Sequence, residues 1–273
     1  IKVKSNKDWV KKTKYYLTKY NTYKKEYSKP NSHVFKGKAY VHPYYFLHIL
    51  SKKLSKNAII VGDCGGCSVL VGHSLETKLG QRYFSNNGHA PMGFSFGSAI
   101  GTWFASNRKQ EIICLSGDGG FNMNIQDLQT LLNYKIPIKS FIINNHIYGI
   151  TKSFQKTNFQ GREEACGPKG YNPPNFIDVA NGYGIKTIKI NNNLEVEKKI
   201  KEVLREKGPV VCDVDCHEFH SYEPKVIGWK TPIEDMYPYL DRKEFKNNLY
   251  IEPTETWQNP FLPDVDKKIE TME

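Results

Sequence analysis

Short apolar runs alternate along the chain with longer segments in which apolar residues recur at helical spacing. The apolar runs cover residues 58–61, 82–85, 111–115, 138–143, 185–190 and 209–214. Helical spacing is found at 41–54 after Pro43, and at 94–105, 125–133, 177–184 and 194–207. Continuous apolar runs of this length are typical of strands buried on both faces, and their alternation with helices is typical of parallel sheets. The pattern therefore predicts an α/β fold with a doubly wound, mainly parallel six-stranded sheet.

One strand–helix–strand unit, residues 111–149, contains several polar and glycine residues that suggest a binding site. Its first strand runs into the sequence GDGG at 117–120, and its second strand ends at the asparagine pair 144–145. Because the strands of such a unit are parallel, their carboxyl ends open at the same edge of the sheet and bring Asp118 close to Asn144 and Asn145. Carboxylate and amide oxygens suit Mg²⁺, which completes its shell with phosphate oxygens. Glycines beside a helix start let backbone N–H groups approach an anion.

Two other interpretations of this unit remain open on the residues alone. The first is structural: a tight turn, a helix-capping Asp118 and two loop asparagines. The second is a nicotinamide-binding domain, in which a glycine-rich loop after a strand also binds a diphosphate. The fingerprint GxGxxG of that class is missing here, and Asp118 would repel its diphosphate unless a metal ion intervened.

The spacing of the unit is similar to a known family signature. GDG followed by 24 residues (120 to 143) and then Asn-Asn resembles the thiamine-diphosphate motif, and the flanking sequence resembles the C-terminal cofactor-binding domain of acetolactate synthase-like enzymes. The resemblance covers about residues 41–248. It implies thiamine diphosphate and Mg²⁺ as cofactors. It also implies Asp118, Asn145 and the backbone carbonyl of Ile147 as metal ligands.

The same resemblance implies the residues that contact the cofactor. They are Cys64, Gly65, Gly66, Cys67, Ala90, Met92, Gly117, Asp118, Gly119, Gly120, Asn145, Ile147, Tyr148, Gly149 and Ile150. Met92 stands where the family places the apolar residue that bends the cofactor, and Ala90 where it places a carbonyl for the aminopyrimidine. For His89, an acid or base in the pocket and a solvent-exposed histidine are both open. Where the family often has Gln-His, this chain has Gly-Cys, which leaves backbone contacts at that loop.

The resemblance further implies decarboxylation of a 2-oxo acid with acyl transfer. The alternatives within the same fold are a 2-oxo acid decarboxylase and a non-catalytic subunit. The family's glutamate on a pyrimidine-binding domain has no counterpart here, and the chain starts at Ile1 rather than Met. We therefore expect a piece of a longer chain or a split subunit. It would be inactive alone and would pair with a pyrimidine-binding domain, in a homodimer or homotetramer.

The net charge of +11 is concentrated at the beginning of the chain. Residues 1–38 hold 12 lysines against Asp8 and Glu26, a net charge of +10, which leaves +1 for the rest. Aromatic and apolar residues from Trp9 to Tyr27 fall at helical spacing among these lysines, so we expect an amphipathic arm that packs on the domain or its neighbour. A nucleic-acid-binding arm would show similar interleaving, but the even charge balance beyond the arm argues against nucleic acid as a partner. The predicted organisation is an arm (1–38), a cofactor-binding domain (39–217) and a wrapping tail (218–273).

The cysteines and the hydropathy of the chain indicate its cellular environment. Cys114 and Cys212 lie in strand-like runs, so buried free thiols in the cytoplasm are expected. Cys64 and Cys67 have the Cys-X-X-Cys spacing of half a zinc site or of a redox pair. A zinc site would need a second Cys-X-X-Cys motif, and the sequence has none. The longest apolar runs fall far short of the roughly 18 residues of a membrane span. The polar, glycine- and proline-containing segment 151–175 is predicted to be an irregular lid.

Overall fold

The computed structural model describes residues 6–19, 24–225 and 235–249. Backbone contacts divide the chain into two compact units. The first contains Ile1–Ser153 and Glu164–Ser221, and the second contains Phe154–Glu163 and Tyr222–Glu273. The domain boundaries expected from the sequence stay a prediction. In the part of the chain that the structure describes, no helix combines the length and the apolar character needed to cross a membrane.

The strands are β1 (Val34–Phe35), β2 (Lys38–Ala39), β3 (Ile59–Gly62), β4 (Arg82–Phe84), β5 (Ile112–Gly117), β6 (Lys139–Asn144), β7 (Lys186–Ile190) and β8 (Val210–Asp215). The helices are α1 (Lys7–Lys19), α2 (Pro43–Lys53), α3 (Gly65–Ser74), α4 (Phe94–Ala105), α5 (Asp118–Asn122), α6 (Leu128–Tyr134), α7 (Gly149–Asn158), α8 (Phe176–Gly182), α9 (Val196–Arg205) and α10 (Arg242–Asn248). Short 3₁₀ turns lie at Lys25–Ser28 and Ile125–Asp127.

The first unit is built on a six-stranded sheet in the order β4-β3-β5-β6-β8-β7. Every pair of neighbouring strands is parallel. The predicted fold class and all six predicted strands are thus confirmed, with boundaries shifted by one or two residues. β5, β6 and β8 are buried along almost their whole length, which explains why they appear in the sequence as continuous apolar runs and not as alternating ones.

Helices cover both faces of this sheet. On one face a single core joins Val61, Cys114 and Ile142 of the strands to apolar residues of α4, α6 and α8. On the other face α2 packs against α3 and α9, and Phe46 of α2 meets Phe141 of β6 with ring centroids 5.5 Å apart. Because helices cover both faces of the sheet, polar residues that could bind a ligand lie in the loops at the carboxyl ends of the strands.

Several predicted loops are in fact ordered elements. The glycine-rich segment at 62–68 was expected to be a loop, but α3 begins within it at Gly65. The first part of the expected lid, 151–158, lies in α7. The end of the segment assigned to the arm contains β1 and the start of β2, which pair as a hairpin. At 62–68 the prediction was wrong because Gly65 begins a helix there rather than interrupting structure.

The predicted basic arm forms a helix, but its apolar stripe is not covered. Asn6 caps α1 by accepting from the N–H of Asp8 at 2.9 Å. None of the residues of α1 is buried, and Trp9 and Leu17 are 75% and 68% exposed. Within a single chain, the described residues of the domain thus leave the stripe of α1 largely exposed, and its packing on a neighbour stays a prediction. Tyr27, beyond the helix, does pack, because it stacks on His42 at 4.1 Å; Tyr20 and Tyr23 lie outside the described residues.

The second unit is described only in part. Asp241 caps α10 by accepting from the N–H of Glu244 at 3.0 Å. Arg242 reaches back to Asp235 and donates from Nη1 to both carboxylate oxygens, at 2.7 and 2.9 Å. Most of the expected tail lies in 226–234 and 250–273, outside the described residues, so its wrapping stays a prediction.

Candidate functional site

The site is built at the carboxyl ends of β3, β5 and β6, which are neighbours in the sheet. The chain leaves β3 towards β4 on one side and leaves β5 towards β6 on the other, so a crevice opens between the ends of β3 and β5. Ligands of open α/β sheets bind in crevices of this kind. The GDGG sequence follows β5, and the asparagine pair follows β6, as the sequence pattern predicts.

Asp118 has a buried carboxylate oxygen without a close hydrogen bond in the described chain, although the hydroxyl of Tyr171 interacts with this carboxylate. Its Oδ1 accepts from the N–H of Gly119 at 2.9 Å, whereas Oδ2 is buried without a hydrogen-bond partner among the described residues. Burial raises the pKa of this carboxyl to about 7, although the Gly119 N–H and His146 act in the opposite direction. A buried carboxylate without a partner is costly, so this oxygen fits a bound cation.

Asn145 and Ile147 supply the other expected ligands. Asn145 donates from Nδ2 to the carbonyl of Phe219 at 2.7 Å, which leaves its amide oxygen for a further partner. The side chain of Ile147 is 1% exposed, so only its backbone carbonyl suits a metal. These oxygens and Asp118 are of the chemical type that could hold a hard cation such as Mg²⁺.

Asn144 has a different task from that of its neighbour. Its Nδ2 donates to Asp213 at 3.0 Å, and its Oδ1 accepts from the N–H of His146 at 3.2 Å. Both ends of its amide are therefore used within the protein. Asn144 positions the loop that presents Asn145, and the distinction agrees with the resemblance, which assigns only the second asparagine to the metal.

Gly119 lies at the centre of a tight cluster of residues that the sequence assigns to the cofactor. A Cβ at this position would lie 2.6 Å from Cε1 of Tyr148 and 2.9 Å from Cε of Met92. A Cβ at Gly65 would lie 3.7 Å from Cγ2 of Ile150. The structure thus brings together the loops after β3, after β5 and after β6, and the segment that carries Met92.

Asp63 is a structural residue of the site that the sequence analysis missed. Its carboxylate accepts from the N–H of Cys64 at 2.9 Å, the N–H of Gly93 at 3.1 Å, and the N–H and hydroxyl of Ser95 at 3.0 and 2.7 Å. A Cβ at Gly120 would lie 2.6 Å from its Oδ1. Asp63 therefore joins three loops of the site. The available signal was an acidic residue directly after a predicted strand, the same signal that identified Asp118.

Met92 lies on a braced turn with its side chain accessible. It is 40% exposed, and the next residue, Gly93, has a φ of +87°, which suits glycine. The carbonyl of Gly93 accepts from Asn124 Nδ2 at 2.7 Å. Ala90 has a φ of +45°, and its N–H donates to Asn86 at 2.7 Å. His89 is exposed in the same turn, so the structure does not distinguish its two interpretations.

The start of α3 supplies backbone donors beside the crevice. No side chain caps this helix, so the N–H groups of Gly65, Gly66 and Cys67 remain for an anion. The thiols themselves are unreactive: burial, followed by Asp63, raises the pKa of Cys64 to about 12, and burial raises the pKa of Cys67. All six cysteines are free, which confirms the expectation of buried free thiols at Cys114 and Cys212. Nothing in the described chain supports zinc or redox chemistry at the Cys-X-X-Cys pair.

Tyr171 is a second residue that sequence reasoning missed. It is buried, and its ring stacks on that of Tyr148 with centroids 3.9 Å apart. Burial, followed by the charge of Asp118, raises the pKa of its hydroxyl, so the phenol stays neutral beside the carboxylate. Tyr148 is also held by its N–H, which donates to the carbonyl of Cys166 at 2.9 Å. The second half of the expected lid, which contains Cys166 and Tyr171, thus packs against Tyr148 and supports the site.

Comparison with known proteins adds to this geometry. Residues 63–214 match the family described as "Thiamine pyrophosphate enzyme, C-terminal TPP binding domain". The chain is 31% identical over 183 residues to the acetolactate synthase large subunit of Porphyra purpurea, an alignment that covers 67% of this chain and 30% of that protein. It is 34% identical over 160 residues to the probable acetolactate synthase large subunit of Methanococcus aeolicus, covering 59% of this chain and 26% of that protein. For the acetolactate synthase isozyme 1 large subunit of Escherichia coli K12 the identity is 27% over 172 residues, covering 63% and 30%. The matched region is therefore less than a third of each of these three relatives.

Proposed function

The chain belongs to the thiamine pyrophosphate enzyme family and carries its C-terminal cofactor-binding domain, and we propose that it holds thiamine diphosphate through Mg²⁺ in an acetolactate synthase-like enzyme acting on 2-oxo acids. The observation that carries this proposal is the buried Oδ2 of Asp118, which has no hydrogen-bond partner among the described residues, at the edge of the sheet where Asn145 follows the neighbouring strand. A subunit that had lost the cofactor would have no reason to keep this carboxylate buried.

Each predicted contact has a physical task in this proposal. Asp118, Asn145 and the carbonyl of Ile147 would hold the cation, and the N–H groups at the start of α3 would bind the diphosphate. Thiamine diphosphate, when bound, supplies the carbanion chemistry that a protein side chain lacks. Met92, braced through Gly93 by Asp63 and Asn124, gives a soft apolar surface against which the cofactor bends.

Metal binding changes the protonation of the site. The pKa of Asp118 is about 7 without a cation, so near neutral pH part of the population carries a proton that Mg²⁺ must displace. Calorimetric titration at pH 6.5 in buffers of different ionisation enthalpy would measure this release. Asp118 therefore couples cofactor loading to pH below 7.

The second half of the active site would come from another domain. Acetolactate synthase-like activity requires, by the resemblance, a glutamate on a pyrimidine-binding domain of the same or another subunit. We propose that the chain works in a homodimer or homotetramer that contains this domain, and that the 273-residue chain alone is inactive.

The binding experiment uses the assembled protein with its pyrimidine-binding domain. Thiamine diphosphate titrated in Mg²⁺ should bind, and binding should be lost in EDTA and in Asp118→Ala. Asp178→Asn, an exposed aspartate of α8, is the matched control and should bind as the wild type does. Equal affinity in EDTA and in Mg²⁺ would refute the metal-dependent site.

The activity experiment identifies the reaction. With pyruvate, the assembly should form a 2-hydroxy-2-methyl-3-oxo acid, whereas a simple decarboxylase would form the aldehyde. Turnover by the isolated 273-residue chain would mean that a base within it, such as His89, replaces the glutamate, and loss of that turnover in His89→Gln would then establish the base.

A further inference from the structure

A cluster of two histidines and one aspartate lies one strand further along the same edge of the sheet. His146 follows β6, and Asp215 and His217 lie at and after the end of β8, the strand that pairs with β6 through Asn144 and Asp215. One ligand atom from each of the three side chains lies within 4.8 Å of the other two. Nε2 of His146 is 3.2 Å from Oδ1 of Asp215, and the two imidazole rings have centroids 4.4 Å apart.

The surroundings hold this cluster in place. The ring of His217 stacks on Tyr40 at 5.3 Å with an interplanar angle of 23° and contacts Phe35 at 4.8 Å. Oδ2 of Asp215 lies 3.5 Å from Nζ of Lys189, so Oδ1 is the oxygen directed at the histidines. His146 has a φ of +61°, a left-handed conformation that is costly for a residue other than glycine. Its N–H bond to Asn144 helps to maintain that conformation.

We propose that His146, Asp215 and His217 form a binding site for a transition-metal ion such as Zn²⁺, separate from the magnesium site. Two imidazole nitrogens and one carboxylate oxygen are the three-ligand set of open zinc sites. An ion at about 2.0–2.1 Å from each ligand brings the ligand atoms to about 3.4 Å of one another in tetrahedral geometry. The ligand atoms of His146 and Asp215 are already 3.2 Å apart, and a ring nitrogen of His217 lies within 4.8 Å of both. The fourth position would be open to water or to a small ligand.

The choice of metal follows from the donor atoms. Mg²⁺ takes oxygen ligands and is satisfied at Asp118, whereas imidazole favours Zn²⁺ and its neighbours in the first transition row. A simple His–Asp ion pair explains only two of the three side chains. The ring of His217, which Tyr40 and Phe35 hold in place, lies 4.4 Å from that of His146 between centroids and supplies the third ligand.

The first experiment measures Zn²⁺ binding to the intact protein, purified without a histidine tag and treated with EDTA. Zn²⁺ is titrated against a competing chelating dye in excess Mg²⁺, which occupies the other site. We expect one Zn²⁺ per chain, an affinity lowered by at least about tenfold in Asp215→Asn and in His217→Gln, and no change in Asp118→Asn or in the control His220→Gln. Binding that is insensitive to both ligand substitutions, or that disappears in Cys64→Ser, would overturn the proposal.

A second measurement does not depend on the folding of variants. Co²⁺ titrated into the wild-type protein should give the visible absorption of a four-coordinate ion with nitrogen and oxygen ligands, and Zn²⁺ should displace it. A spectrum of six-coordinate Co²⁺ alone, or one with thiolate charge transfer, would also overturn the proposal. Neither readout uses thiamine diphosphate or activity, so failure here leaves the proposed function untouched.

Discussion

Replacement of Asp118 by asparagine should make the metal-free protein more stable at neutral pH. Asparagine keeps the acceptor that receives the Gly119 N–H at Oδ1 and removes the charge that is buried at Oδ2. The pKa of the carboxyl rises from 3.8 to about 7 on folding, because burial disfavours the ionised form. Ionisation of Asp118 in the folded state is therefore a cost that the neutral amide avoids.

The magnitude follows from the two pKa values. At about 1.4 kcal/mol for each pH unit between them, ionisation costs the folded state about 4 kcal/mol. Between pH 3.8 and about 7 the folded protein holds a proton that the unfolded chain has released, so the free energy of unfolding falls as the pH rises. Above pH 7 both states are ionised and the full cost is present. The advantage of Asp118→Asn should thus grow by about 2 kcal/mol from pH 5 to pH 7 and level off near pH 8.

Urea unfolding in EDTA, followed by circular dichroism at several pH values between 5 and 8, measures this difference directly. Subtracting the wild-type curve from that of the variant removes the titrations that the two proteins share. The control Asp178→Asn, whose amide oxygen can still accept from Nδ2 of Asn175, should show no comparable gain between pH 5 and pH 8. Saturating Mg²⁺ should stabilise the wild type and not Asp118→Asn. An equal or lower stability of Asp118→Asn at pH 8 in EDTA would refute the buried, unpaired carboxylate.

Three further predictions test the rest of the site. Gly119→Ala should lower the free energy of unfolding by about 1–3 kcal/mol, because its Cβ would overlap an aromatic ring and a methionine; Gly101→Ala in α4, where a Cβ meets nothing within 4 Å, should be neutral or stabilising in the same urea titration. Asp63→Asn should cost about 2–4 kcal/mol, because an amide nitrogen would face N–H donors that now bind a charged acceptor, and a melting temperature equal to that of the wild type would contradict this. Cys64→Ser combined with Cys67→Ser should leave calorimetric affinity for thiamine diphosphate within a few-fold of the wild type, since backbone groups bind there; a large loss would restore a role for the thiols.

The sequence predicted the sheet and most of its helices because buried parallel strands leave an unmistakable apolar run. It also predicted which loops meet, since parallel strands in a βαβ unit end at one edge. It could not predict Asp63 as a junction, because hydrogen bonds to Gly93 and Ser95 join residues about thirty positions apart. The glycines did not predict local structure either, because Gly65 begins a helix whereas Gly93 lies in a turn with a left-handed conformation. The His146, Asp215 and His217 cluster depends on β8 lying beside β6, an order that periodicity does not reveal.

The register between β5 and β6 has a consequence for how this protein can change over time. Gly117 pairs with Ile143, so Asp118 and Asn145 owe their proximity to the same ladder that aligns the buried side chains of the core. A slip of two residues would keep each side chain on its own face but would move one ligand by about 7 Å along the strand, beyond the reach of a shared ion. Insertions and deletions within these strands therefore destroy core and cofactor site together. Changes in chain length are therefore expected to be tolerated only in loops away from the ends of β5 and β6.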